Sequence, residues 1–136
     1  MKLTDVTSFM LGGEVVRLAR SYKYLGIIVT DDFEWTAAIK ARTEIVRKVI
    51  FTQSKILSNR DLSPELRYRF FDAVVMSSAL YGSELWAESI QGCKTLESTI
   101  ASGLRMIIGT PPRASRFAVG LELGYTPFTS ARLCAD

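Results

Sequence analysis

The chain has 136 residues, 48% hydrophobic and 23% charged, enough for one domain with a real core and too few for two independent ones. There is no histidine, and the two cysteines, Cys93 and Cys134, are isolated. This excludes zinc-finger spacings, a histidine base and a disulfide framework. Net charge is +3 with a pI near 9.0, which suits a polyanionic partner only if the positive charge is clustered.

No apolar run approaches the roughly 20 residues that a membrane span needs. The N-terminus MKLTDVTS lacks the apolar stretch of a signal peptide, so an intracellular chain is expected.

In chain order, the first thirty residues read as a β-meander. Val6 to Leu11 precedes a turn at Gly12-Gly13, and Glu14 to Leu18 follows it. A further strand is predicted from Tyr22 to Val29, with Gly26 as a bulge or a point of close backbone approach. After Asp32 the apolar period changes from two to 3.6. Trp35, Ile39, Ile45, Val46, Val49, Ile50, Ile56 and Leu57 share one broad face of a helix predicted over 35–57. Asp31 is expected as its N-cap, with Glu34 completing a capping-box-like pair.

Ser63-Pro64-Glu65 opens a second helix, expected to reach about Trp86 and apolar nearly all round. A third, from about Thr95 to Ile108, stacks Leu96, Ile100, Leu104 and Ile107 on one face before Gly109. Thr110-Pro111-Pro112 is a rigid connector. A short helix near Ser115 to Leu123 ends at Gly124, and Thr126-Pro127 can cap another. The expected fold is mainly α: a short β-meander over 1–30, a three-helix bundle over 31–109, and a helical tail over 110–136.

Four motifs in this order resemble one family. They are SYKYLGI (from Ser21), leading to Trp35, then ALYGSELW (from Ala79), LRMIIG (from Leu104) and ELGYTP (from Glu122). Together they resemble the segment that follows the palm in reverse transcriptases of non-LTR (LINE-type) retrotransposons. The resemblance implies a primer-grip strand at Tyr24-Leu25-Gly26 and a helical thumb after it, in a eukaryotic nucleus or cytoplasm. The fingers and the palm with its aromatic-X-Asp-Asp box would lie upstream of Met1. The chain is thus expected to be a non-catalytic fragment without cofactor or metal.

Its expected partners are a primer–template RNA–DNA hybrid and the absent palm and fingers. The alternative is a protein-interaction bundle, or one that self-associates through the surface the palm would cover. A self-sufficient hydrolase or nuclease is disfavoured, because no histidine is present and the carboxylates do not cluster.

The candidate nucleic-acid contacts follow from residue chemistry. Lys23 can meet a phosphate, Tyr22 or Tyr24 can pack on sugar or base, and Gly26 permits close approach. The competing reading is a strand whose tyrosines cover a core. Lys40, Arg47, Lys48 and Lys55 share one sector of the first helix over about 25 Å, and can follow a duplex backbone or form a solvated face partly neutralised by Glu44. Phe51 lies on the same face. Arg42 falls on the apolar face and is expected to snorkel or pair with a carboxylate.

Arg67 and Arg69, at a helix start unfavourable to cations, suggest a phosphate contact or a surface ion pair. Arg113 and Arg116 flank the proline pair and can meet template or simply solvate a loop. Gly82 is expected to let helices approach, and Ser83 has no histidine to activate it. Asp31-Asp32 is not read as a catalytic pair, since no second carboxylate-bearing palm strand accompanies it.

Overall fold

A computed structural model describes residues 9–16, 19–86 and 90–125 of the chain. The fold is mainly helical, with two small antiparallel hairpins at the N-terminal end. Strand β1 (Phe9–Leu11) pairs with β2 (Glu14–Val16) across Gly12-Gly13. The sequence expectation is met in kind; its residues 6–8, 17 and 18 lie outside the described residues.

The expected continuous strand Tyr22 to Val29 is instead a second hairpin. Strand β3 (Ser21–Tyr24) turns at Leu25-Gly26 and pairs with β4 (Ile27–Thr30), Tyr24 opposite Ile27. Both turn residues have positive φ, 47° and 82°, the handedness of a two-residue hairpin loop. Gly26 is therefore a turn residue rather than a bulge. The two hairpins form separate sheets, so no continuous meander exists among the described strands.

Helix α1 (Thr36–Thr52) stops earlier than its apolar periodicity suggests. Gln53 interrupts it, and the single turn α2 (Ser54–Leu57) follows. Helix α3 (Pro64–Phe71) starts as expected: the amide of Leu66 donates to Ser63 Oγ at 3.3 Å, and Pro64 fills the first turn. It then widens into a π-helical segment, Asp72–Met76, before α4 (Ser77–Leu80). Hydroxyls of Ser77 and Ser78 donate back to carbonyls of Ala73 and Val74 within this irregular turn. The chain breaks at Tyr81-Gly82, and α5 (Ser83–Trp86) is a separate turn. The predicted uninterrupted second helix is thus one irregular run, Pro64–Leu80, and a separate turn, Ser83–Trp86.

Helix α6 (Ile90–Ile108) begins about a turn before the expected Thr95 and touches α1, α2, α3 and α7 (Arg116–Leu123). Its Leu96, Ile100, Leu104 and Ile107 are all buried, as their spacing predicts. They meet Ile39, Val46 and Ile50 of α1, and Phe71 and Val75 of the second helical run, in one apolar core. Gly103 makes the closest helix approach possible: a Cβ there would stand 2.5 Å from the Phe71 ring and 3.2 Å from Ile50. Among the described residues, no helix is long and apolar enough to cross a membrane.

Candidate nucleic-acid interface

Two of the motifs that carry the family resemblance meet in space. The Tyr81 hydroxyl donates to the carbonyl of Leu25 at 2.7 Å, joining the helix break to the hairpin tip across 56 positions of sequence. Beside it, Gly82 has φ of 73°, and a Cβ there would lie 2.5 Å from Ile27 Cδ1. The expectation that Gly82 admits a neighbouring helix is corrected: it admits strand β4. Below Tyr81, the guanidinium of Arg42 sits 4.7 Å from the ring centroid, and its Nη1 reaches the Ser78 carbonyl at 3.4 Å. Arg42 is buried rather than snorkelling, and pairs with no carboxylate among the described residues. It supports Tyr81 through a cation–π contact.

The hairpin is therefore held at its tip from the helical side. Tyr22 and Tyr24 share one strand face and remain 67% and 63% exposed, with Lys23 and Leu25 also exposed. The tyrosines do not cover a core, which removes that competing reading. What remains is a pair of exposed aromatic rings on one face of β3, chemistry suited to stacking on sugar or base, with Lys23 on the other face able to meet a phosphate.

Lys40, Arg47, Lys48 and Lys55 are all exposed. Arg47 is paired with Glu44, one turn earlier on the same helix; Lys40, Lys48 and Lys55 form no ion pair among the described residues. The break at Gln53 changes the geometry, because Lys55 belongs to α2 and does not continue the α1 stripe. The unbroken part from Lys40 to Lys48 spans about 12 Å at 1.5 Å per residue. Phe51 is 79% exposed near its end. Arg113 and Arg116 are exposed beside the proline pair.

Asp31 does not cap α1. The N-cap residue is Trp35, without a side-chain cap bond, so the expected Asp31–Glu34 capping box is absent. Asp31 donates its amide to the Arg20 carbonyl, closing the hairpin base. Asp32 instead stabilises the linker. Its Oδ1 accepts the Glu34 amide at 3.1 Å, while Thr30 Oγ1 donates to the Glu34 carbonyl. A hydrogen bond from the Thr30 side chain, and then the Glu34 amide, hold the Asp32 carboxyl below its ordinary pKa. Phe33 takes a positive φ of 55° in this tight link. Among the described residues, no three His, Cys, Asp or Glu side chains converge as a metal site.

Sequence reasoning missed the role of Arg67. It is only 7% exposed, and its Nη1 donates to the carbonyls of Leu57 (3.3 Å) and Ile107 (2.6 Å), the C-terminal ends of α2 and α6. Neither a surface ion pair nor an exposed phosphate contact describes it. Arg69, by contrast, forms the expected surface pair with Glu65 at 2.8 Å. The available signal was an arginine at the unfavourable end of its own helix dipole, but Arg69 shares it and pairs within its own helix, so the signal does not single out Arg67. Cys93 is buried, and burial, followed by the nearby Glu97 charge, raises its thiol pKa. Ser83 is buried and has no histidine near it, there being none in the chain.

No family model matches the sequence, and no curated protein or solved structure matches it significantly.

Proposed function

We propose that the chain is the thumb of a reverse transcriptase of the non-LTR retrotransposon type, preceded by its primer-grip hairpin. In this reading residues 31–109 form the three-helix thumb, and the tail leads towards the following linker. The fragment performs no chemistry. It holds a primer–template duplex by its backbone, through charge and shape rather than base identity, in the nucleus or cytoplasm of a eukaryotic host. The observation that carries this reading is the joint between Tyr81 and Leu25. It makes the SYKYLGI and ALYGSELW motifs one structural unit and presents Tyr22, Lys23 and Tyr24 to solvent.

A second reading, a self-associating or protein-binding module, draws on apolar side chains exposed on the first hairpin, Met10, Leu11 and Val15, and on Phe33 in the link to α1. The two readings separate in a salt titration of RNA–DNA hybrid binding by fluorescence anisotropy. The thumb reading expects log affinity to fall linearly with log salt, and Lys40→Gln with Lys48→Gln to reduce that slope by about 2. An affinity flat against salt, or no binding at low salt, sinks it. Concentration-dependent sedimentation without hybrid binding favours the second reading.

A further inference from the structure

We propose that the groove between the 58–63 loop and the C-terminal end of α6 is a binding site for a phosphate group. The groove encloses about 950 Å³ and contains none of the hairpin or α1 residues, so it stands independently of the thumb reading. Three arginines line it, Arg60, Arg67 and Arg105, against one carboxylate, Asp61. Three positive charges less one negative leave a local charge of +2.

The arginines are prepared to different degrees. Arg67 forms the floor, 93% buried, with Nη1 occupied by the two helix-end carbonyls and neither bond using Nη2. Its Nε is buried without a hydrogen-bond partner, and so is the hydroxyl of Thr110, which also lines the groove. Arg105 lies side-on, with Nε and Nη2 both donating to the Ala114 carbonyl at 3.2 and 3.0 Å, which leaves Nη1 outside that contact. Arg60 is exposed and in no ion pair among the described residues. Its Nη2 lies 3.6 Å from where a Cβ on Gly109 would stand, so it leans over the turn at the groove's rim.

Planar guanidinium groups carried by three separate chain segments offer the donors that the several acceptor oxygens of a tetrahedral oxyanion need. Hydroxyls at Ser63 and Thr110 add neutral donors to the lining, while that of Ser102 already donates to the Thr99 carbonyl at 2.6 Å. The carbonyl ends of α2 and α6 would repel an anion if bare, but Arg67 already holds them. A lone halide would engage too few of these donors to gain much from their arrangement. The built feature is a buried, partly unpartnered arginine in a groove lined also by Arg105, held by the Ala114 carbonyl, and by the exposed Arg60.

The test is a titration of the full chain with inorganic phosphate, followed by amide NMR shifts, against chloride at matched ionic strength. Saturable shifts concentrated at 58–63 and 109–112 are expected with phosphate and not with chloride. Arg60→Gln, which alters an exposed side chain, should weaken binding about tenfold by loss of charge-assisted hydrogen bonds. Arg116→Gln removes the same charge outside the groove and should leave affinity unchanged. Non-saturating or scattered shifts, equal shifts with chloride, or equal effects of the two variants would overturn the proposal. A 5′-phosphorylated oligonucleotide that displaces inorganic phosphate, where its 5′-hydroxyl twin does not, identifies a terminal nucleic-acid phosphate as the source. Displacement by neither identifies the free ion.

Discussion

The helical body and the N-terminal hairpins are built on different forces. In the body, Leu57, Phe71, Val75, Leu96, Ile100 and Ile107 are entirely buried around one apolar centre. In the hairpins, no described side chain is buried, and residues 10–16 are exposed throughout. A two-stranded hairpin is marginal on its own, so β3–β4 needs an external anchor. Tyr81 and Gly82 provide part of it by direction and fit, and the half-buried β4 adds contact with α1. The body should therefore tolerate injury to the hairpin, whereas the hairpin should not survive loss of the body.

The largest effect should come from the core. Phe71→Ala removes a fully buried ring from the α1–α3–α6 contact, and should destabilise the whole chain by about 3–5 kcal/mol in chemical denaturation. A loss below about 1 kcal/mol would mean that the helices do not share one cooperative core.

A smaller, more local effect is expected at the anchor. Gly82→Ala places a methyl against Ile27 at a positive φ, and should cost about 1–3 kcal/mol. Hydrogen exchange is the decisive readout: amides of β3 and β4 should exchange faster while α6 stays protected. Uniform loss of protection would show that hairpin and body unfold together, and the contrast between the two regions would collapse.

The smallest effect belongs to Asp32→Asn. The folded carboxyl has a lowered pKa, so its contribution to stability is fully present above the unfolded value near 3.8. It is lost as pH falls through the lower folded value. The wild type and Asp32→Asn should therefore differ slightly at neutral pH and converge in strong acid. A difference that grows on acidification would reverse the assigned sign.

How much of this was legible in the sequence depends on how local the cause is. The α6 stripe, the Ser63-Pro64 start and the Gly12-Gly13 turn follow from near neighbours in the chain, and all three are present. The turn at Leu25-Gly26 was hidden because leucine rarely accepts a positive φ, and no Asn-Gly or Asp-Gly marks it. The hydrogen bond that tethers it comes from residue 81, beyond the reach of any local pattern. Arg42 and Arg67 were visible as misplaced charges, but their acceptors lie on other elements. The lysines of α1 were readable as exposed. The break at Gln53, which detaches Lys55 from them, has no strong breaker to announce it.

The widened turn at Asp72–Met76 sets the phase of everything after it. A π turn holds one more residue than the α-helical path would need, and each residue advances an α-helix by about 100°. Deleting one residue there would let the run close into regular α-helix and rotate the following segment by about that angle. Tyr81 would then swing away from both the Arg42 guanidinium beneath it and the Leu25 carbonyl above it. The alignment of hairpin with helices thus depends on a count of residues as much as on their identity. A change of length by a single codon, with every contacting side chain retained, would uncouple the two.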